Sequence, residues 1–553
     1  MEKRLIFALM ISIVVVFVWT TFVVKPPKRE SPPLQPPTPV PEAWAREAVE
    51  TAPPSVAAPQ ALVEEELPPE EIVYIESDEM RVELSDVGGT VRKVVLKRSG
   101  VVKKESYDLV EETLPEFRPF ALSKSARLKY AAGEATARSV TYKVCTENGL
   151  EITKRIGFSD EPYVITMDLA LRNASGEFLP VGEIDAVCGT VFGLKTGRYA
   201  SLGVDYFTGE KVKRLKEGRL KKLKGAIGSE PAEASWVAAK NSFFALVMIP
   251  EVPSRRVFYG TYPVPADAPR SSAMSGLGMQ LPEIAPDREV AYSFRLYAGP
   301  KDYDLLKSME PPLGDVMGFG FFGPLSKIIL ASLKFFYGIC GNYGVAIILL
   351  TIAIRIVLFP LNQKSFKSMK KMQDLAPLLE PLKEKYKKDA KKLQAETMAL
   401  YKKHGVNPMS GCFPMLLQMP ILIAFFQTLR SSVMLWGAHF LWIKDLSEPD
   451  AIYTLQQSLP IIGNNINLLP ILMLVVFVLQ QKMSPAGMGG GGAQAAQQQK
   501  MMSTMMPIIF GVLFYNMPSG LVLYFTVSTL LGILQQWLVR RGTTGPPLPV
   551  KKH

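Results

Sequence analysis

The chain has 553 residues, with 63 lysines and arginines against 51 acidic residues, and 48 % of its side chains are hydrophobic. That length accommodates two or three domains, and the positive mean hydropathy is high for a purely soluble protein. The formal charge of +12 would suit nucleic acid, but most of the excess sits beside apolar runs, which points to a membrane surface first.

The chain opens with MEKRLIFALMISIVVVFVWTTFVVK, in which Leu5 to Val24 carries no charge. A stretch of roughly 20 apolar residues crosses hydrocarbon. The flank Val23, Val24, Lys25, Pro26 offers no small-residue cleavage site, so residues 1–24 read as an uncleaved transmembrane anchor rather than a removed signal. Residues 25–71 contain KPPKRESPPLQPPTPVPE, too rich in proline and too poor in apolar side chains for a core, and read as an extended linker.

From residue 72 the pattern changes to alternation. MRVELSDVGGTVRKVVLK places a Gly-Gly turn between two alternating runs, a hairpin signal. SVTYKVCTENGLEITKRIGF, YVITMDLALRN, SFFALVMI and VAYSFRLYAGP continue it. Residues 72–310 are therefore expected to form one mostly antiparallel β-sandwich domain. It has no histidine, since the three in the chain are His404, His439 and His553, and it shows no nucleophile motif or Gly-rich phosphate loop. A scaffold or binding domain is favoured over an enzyme. The cysteines, Cys145, Cys188, Cys340 and Cys412, have no metal-ligand spacing, and two free thiols at Cys145 and Cys188 are favoured over a disulfide.

FGFFGPLSKIILASLKFFYGICGN interleaves apolar residues with Ser326, Lys327, Ser332 and Lys334. Residues 318–340 thus read as an amphipathic helix lying in the membrane interface. Spans are expected at 343–362, 412–434, 467–482, 503–517 and 520–539, making six with the anchor. Segment 364–404 carries 12 lysines against five acidic residues, and the tail at 541–553 is basic. Both belong on the cytoplasmic side. This places both termini inside, and the β-domain and the 435–466 connection outside. Met369, Met372, Leu375, Leu379 and Leu382, then Leu393, Met398, Leu400 and Tyr401, recur at helical spacing around a break near Lys387–Asp389. The reading is a cytoplasmic helical hairpin whose lysines suit anionic lipid or ribosomal RNA. The spans near 468–479 and 505–515 are short, which favours local bilayer thinning.

Within IILLTIAIRIVLFPL sits Arg355. An arginine at a span centre costs roughly 2.5–3.5 kcal/mol on insertion scales. Its distance from the cytoplasmic end, roughly 9 Å along a helix, permits snorkelling. Thr351 one turn away, Gln418 in the third span, and Thr526, Ser528 and Thr529 in the last favour a wet pocket open to the cytoplasm. The residues alone leave two readings nearly level: an insertase that hosts the polar flank of another chain, and a transporter that binds an anion at Arg355.

NYGVAIILLTIAIRIVLFPL, GVNPMSGCFPMLLQMPI, FLWIKDLSEPD and MPSGLVLYFTVSTLLGILQQ, with the YAGPK border, cover most of 297–540. In that order they resemble the YidC-type membrane protein insertases, the bacterial branch of a family with mitochondrial Oxa and chloroplast Alb proteins. The anchor and large outer domain resemble the Gram-negative form. That resemblance implies a polytopic α-helical inner-membrane protein with a periplasmic all-β (β-supersandwich) domain and a five-helix core over 343–540. It also implies insertion and folding of nascent membrane proteins, alone or beside the Sec translocon, with ribosomes and anionic lipids as further partners, and a functional monomer. No cofactor, metal, nucleotide or covalent reaction is implied. The resemblance places Arg355 and Thr351 in a hydrophilic groove, to which the polar reading adds Gln418. It matches substrate contacts to Met419, Leu513, Pro518 and Tyr524. Related chains can carry phenylalanine at the position of Leu513. The loop PAGMGGGGAQAAQQQ at 485–499 is expected to be a flexible connection without a contact of its own.

Overall fold

A computed structural model describes residues 68–541, apart from 100, 103–105, 195–200, 224, 263–269, 387–388, 407–412, 460–462 and 484–504. The expected anchor at 1–24, nearly all of the linker, the loop at 485–499 and the tail beyond 541 lie outside the described residues.

The alternating runs fold as strands. Met80–Ser85 and Thr90–Lys97 pair antiparallel around Gly88 and Gly89, both at positive φ. A side chain at Gly88 would put its Cβ 2.5 Å from the Ala126 carbonyl oxygen, so this turn requires glycine on two counts. Val164–Asn173 buries Ile165, Met167, Leu169 and Leu171 and exposes Asp168 and Arg172, the period of a half-covered strand. Phe244–Pro250 is buried along its whole length, a continuous apolar run that suits a strand covered on both faces.

The strands build an antiparallel nine-stranded sheet. Its order runs Val212–Lys216, Gly203–Phe207, Trp236–Lys240, Phe244–Pro250, Glu289–Pro300, Val164–Asn173, Leu150–Phe158, Ser139–Cys145, Ala131–Ala135. A four-stranded sheet made of Glu183–Phe192, Ser272–Gln280, Ser254–Gly260 and Gly228–Ala234 packs on it, and the strands from Ile72 to Val110 form a third sheet. Buried Lys154 ties the Gly-Gly turn to this core: its Nζ donates to Gly88 O at 2.6 Å and Phe120 O at 2.8 Å. Burial lowers this amine from its ordinary 10.5 to about 7. Cys145 and Cys188 are free thiols, and burial pushes Cys188 up to about 12.

The second half is helical. Helix α1, Gly323–Cys340, begins with a proline in its first turn and ends at left-handed Gly341. Helix α2, Tyr343–Asp374, runs 32 residues through Pro360, past the span end expected at 362. Helices α3, Ala376–Lys385, and α4, Ala390–Lys403, follow, with Asp389 capping α4 through the Lys392 N–H. Met369, Met372, Leu375, Leu379, Tyr401 and Val406 form a small core of their own, while Met398 is exposed. Then come α5, Phe413–Ser431, α6, Leu468–Met483, α7, Met505–Tyr515, and α8, Ser519–Arg541. Among the described residues, α1, α2 and α8 are long and apolar enough to cross a membrane, and α6 and α7 are shorter apolar helices. By length and composition α1 thus qualifies as a span, although its charge pattern predicts an interfacial helix. The connection at 435–466 holds a hairpin, Ala451–Leu459 with Gly463–Asn467, which the sequence reading did not include.

Side chains join the β-domain to the helices. Trp436, after α5, packs edge-on against Tyr107 at 5.2 Å and Phe244 at 5.1 Å. Lys334 on α1 pairs with Asp302 at 3.0 Å and Asp304 at 2.6 Å.

Candidate functional site: a polar cluster between apolar helices

Three helices bring the polar residues together. Arg355 on α2 donates from Nε to Ser528 Oγ on α8 at 3.1 Å and from Nη2 to the same oxygen at 2.9 Å, and it also bonds the Ser528 carbonyl. No carboxylate pairs with Arg355 among the described residues. Gln418 on α5 donates to Ser528 Oγ at 2.8 Å and to the Tyr524 hydroxyl at 3.1 Å. Tyr524 is fully buried and stacks on Phe425 with ring centroids 4.6 Å apart.

The sequence of α8 explains the arrangement. Tyr524, Ser528 and Gly532 recur every four residues and so share one face. Gly532 is the space on that face: a Cβ there would lie 3.2 Å from both Arg355 Nη2 and Gln480 Nε2. The opposite side of α2 is apolar and open, with Ile356 and Val357 exposed. The result is a guanidinium held by the neutral oxygens of Ser528 inside an apolar shell. Chemically it can exchange those oxygens for a carboxylate or backbone carbonyls of a visiting chain.

The expected groove residues separate into those the structure gathers and those it does not. Arg355, Gln418 and Tyr524 meet at Ser528. Thr351 is buried and its hydroxyl donates to Ile347 O at 2.6 Å, within its own helix. Thr526 and Thr529 do the same, to Val522 O and Phe525 O, each at 2.7 Å. Met419 is half-buried beside Gln418, and Leu513 is half-buried against the main core. Pro518 is buried at the start of α8, where its carbonyl accepts from Leu521 N at 2.9 Å. The sequence marks Ser528 only as one polar residue of the last span and not as the common acceptor, and Gly532 and Gln480 are absent from the site read off it. The every-fourth-residue spacing of Tyr524, Ser528 and Gly532 is the signal that could have found two of them.

Residues 72–332 match the family described as YidC periplasmic domain, and residues 335–545 match the 60Kd inner membrane protein family. The chain is 32 % identical to the membrane protein insertase YidC of Chlorobaculum parvum, over 97 % of this chain and 94 % of that one. The chain belongs to the YidC family of membrane protein insertases. Its YidC relatives from Geotalea daltonii, 32 % identical over 98 % of this chain and 99 % of theirs, and Citrifermentans bemidjiense, 34 % over 85 % of each, agree. A galactose mutarotase-like protein from Lactobacillus casei is similar at 8 % identity and a TM-score of 0.30, over 41 % of this chain and all of that one. The boundary between the two YidC matches, at 332–335, falls inside α1, the helix that Lys334 joins to the β-domain.

Proposed function

We propose that the chain inserts nascent proteins into the bacterial inner membrane and helps them fold, with the polar cluster at Arg355 as a groove open to cytoplasm and lipid. The observation that carries this reading is the Arg355 guanidinium, held by Ser528 without a carboxylate partner among the described residues. A nascent span docks on the apolar walls near Met419, Leu513, Pro518 and Tyr524. Its polar or acidic flank takes over the bonds of Arg355 and escapes part of its desolvation cost. Thr351 lines the same stretch of α2. The described length of α6, 16 residues, covers about 24 Å, short of the roughly 30 Å of bilayer hydrocarbon, so thinning shortens the crossing. The client then leaves sideways into lipid, driven by apolar burial. The process needs no covalent step.

In this reading six helices cross the membrane, both termini and the α3–α4 hairpin face the cytoplasm, and the β-domain, a β-supersandwich, is periplasmic. The lysines of 364–404 meet the ribosome and anionic lipid. The protein acts as a monomer, alone or beside the Sec translocon.

Site-specific photocrosslinking tests the groove. A probe at Met419, with ribosomes stalled on a single-span membrane protein, is expected to capture the emerging span. A probe at an exposed β-domain position, Phe178, is expected to capture none. Absence of adducts at Met419 and its groove neighbours, with the protein folded and clients present, would return the anion-transporter reading.

A further inference from the structure

The motif FLWIKDLSEPD plays no part in the groove, yet the structure builds it with care. Phe440 and Ile443 exchange backbone bonds of 2.9 and 2.8 Å, closing a tight turn with Leu441 and Trp442 at its tip. The turn is pinned to the first turn of α2. Asn342 donates to His439 O at 3.2 Å, and the Phe440 ring lies so close to Gly344 that a Cβ there would sit 2.1 Å from the ring. The following segment is tied to two more helix starts: Asp450 accepts from Leu469 N at 2.7 Å, and Glu448 O accepts from Ser519 N at 2.8 Å. The turn therefore stands level with the outer ends of α2, α6 and α8.

Its tip is apolar and open. Leu441 is 74 % exposed and Trp442 is 42 % exposed. Leu441 also holds φ +50, a conformation that a bulky residue rarely adopts and that asparagine or glycine would occupy without strain. The indole N–H of Trp442 is already satisfied by Asp450 at 3.2 Å, which leaves its ring as apolar surface. Lys444, two residues on, is exposed.

We propose that the 440–443 turn is a lipid anchor that sinks Leu441 and Trp442 into the outer leaflet, with Lys444 at the phosphates, and so sets the height of the helical core in the bilayer. This rests on the reading of α2, α6 and α8 as spans. The position at the helix ends selects the bilayer as the occupant, and tryptophan with a flanking lysine is the pairing that suits the headgroup boundary. A leucine kept at positive φ on an open tip has an apolar partner outside the protein.

The test uses the full chain in phospholipid vesicles, with the native cysteines replaced by serine and a nitroxide placed at Leu441→Cys. Relaxation by oxygen and by a water-soluble nickel chelate is compared with labels at Val475→Cys, exposed on α6, and Tyr74→Cys, exposed on the β-domain. The expected oxygen-to-nickel ratio at 441 matches that at 475. A ratio like that at 74 overturns the anchor. So does shielding from both reagents, which would mean that protein covers the turn. A nickel-favoured label at 475 would instead strike the span reading itself. If the serine replacements prevent folding, brominated lipid replaces the label: the anchor predicts that wild-type emission is quenched more than that of Trp442→Phe, and equal quenching overturns it.

Discussion

Arg355 Nε lies 3.1 Å from Ser528 Oγ, and the same hydroxyl accepts from Gln418 at 2.8 Å. One small side chain on α8 therefore collects donors from two other helices. A client that displaces it gains a cation and an amide together.

Removing the cation should cost acidic clients most. A hydrogen bond to a charged group is worth about 1.5–3 kcal/mol, so Arg355→Ala is expected to lower insertion of acidic-flank clients roughly tenfold or more. Arg355→Lys keeps the charge and should retain much of the activity. Protease-protection assays with acidic and neutral flanks measure this, and equal insertion of acidic clients by the alanine variant would defeat charge docking.

Gly532 makes room for the guanidinium, so enlarging it should separate stability from insertion. Gly532→Ala brings its methyl to 3.2 Å from two flexible side-chain ends, a contact that a small shift relieves, and removes a helix-interior glycine worth up to about 1 kcal/mol. Its thermal midpoint should hold or rise. Gly532→Leu should push Arg355 off Ser528 and depress insertion while the helices persist. Circular dichroism melts beside insertion assays distinguish the two.

Trp436 joins the β-domain to the helices through Tyr107 and Phe244. Trp436→Ala deletes a buried indole, with a cost of about 3–5 kcal/mol. Limited proteolysis of the full chain should then release a β-domain fragment at protease levels that leave the wild type whole. An unchanged digestion pattern would place the joint elsewhere.

Lys154 makes stability depend on pH in a particular window. Burial lowers its amine to about 7 in the folded protein, against 10.5 when exposed. Below pH 7 both states carry the proton and the burial penalty is fully present. As pH rises from 7 toward 10.5 the unfolded chain holds a proton that the folded one has shed, so unfolding free energy rises. Lys154→Met should flatten that rise in urea midpoints of the full chain, followed through buried Trp236. A wild-type midpoint that falls over this window would contradict the assignment.

How much of this was legible beforehand varied with the kind of signal. The β-domain was readable because runs such as YVITMDLALRN alternate along their length, and the Gly-Gly turn marks its own hairpin. Arg355 announced itself as a charge in an apolar run. Gln418 and Ser528 stood out as polar residues within spans, but only the crossing of α2 and α8 makes Ser528 the shared acceptor and gives Gly532 its meaning. The threonines misled for a related reason: a hydroxyl in a helix can bond its own preceding turn, as Thr351 does with Ile347, and then asks nothing of its neighbours. The 451–467 hairpin was hidden by its exposure, since Tyr453 and Ile466 face outward and leave no buried stripe. The span expected to end at 362 instead continues, through Pro360, to Asp374 as one helix.

That continuity has a mechanical meaning. Helix α2 is a rod of 32 residues, about 48 Å long, with Arg355 near its middle and Met369 and Met372, which anchor the small α3–α4 core, toward its far end. A load on the α3–α4 end travels along the rod toward Arg355, and Pro360, which lies between the two, is the kind of residue at which helices bend. A pull on the α3–α4 arm that leaves the rod unbent at Pro360 would thus shift the guanidinium itself, so that whatever grips the lysine-rich segment also has a handle on the polar cluster.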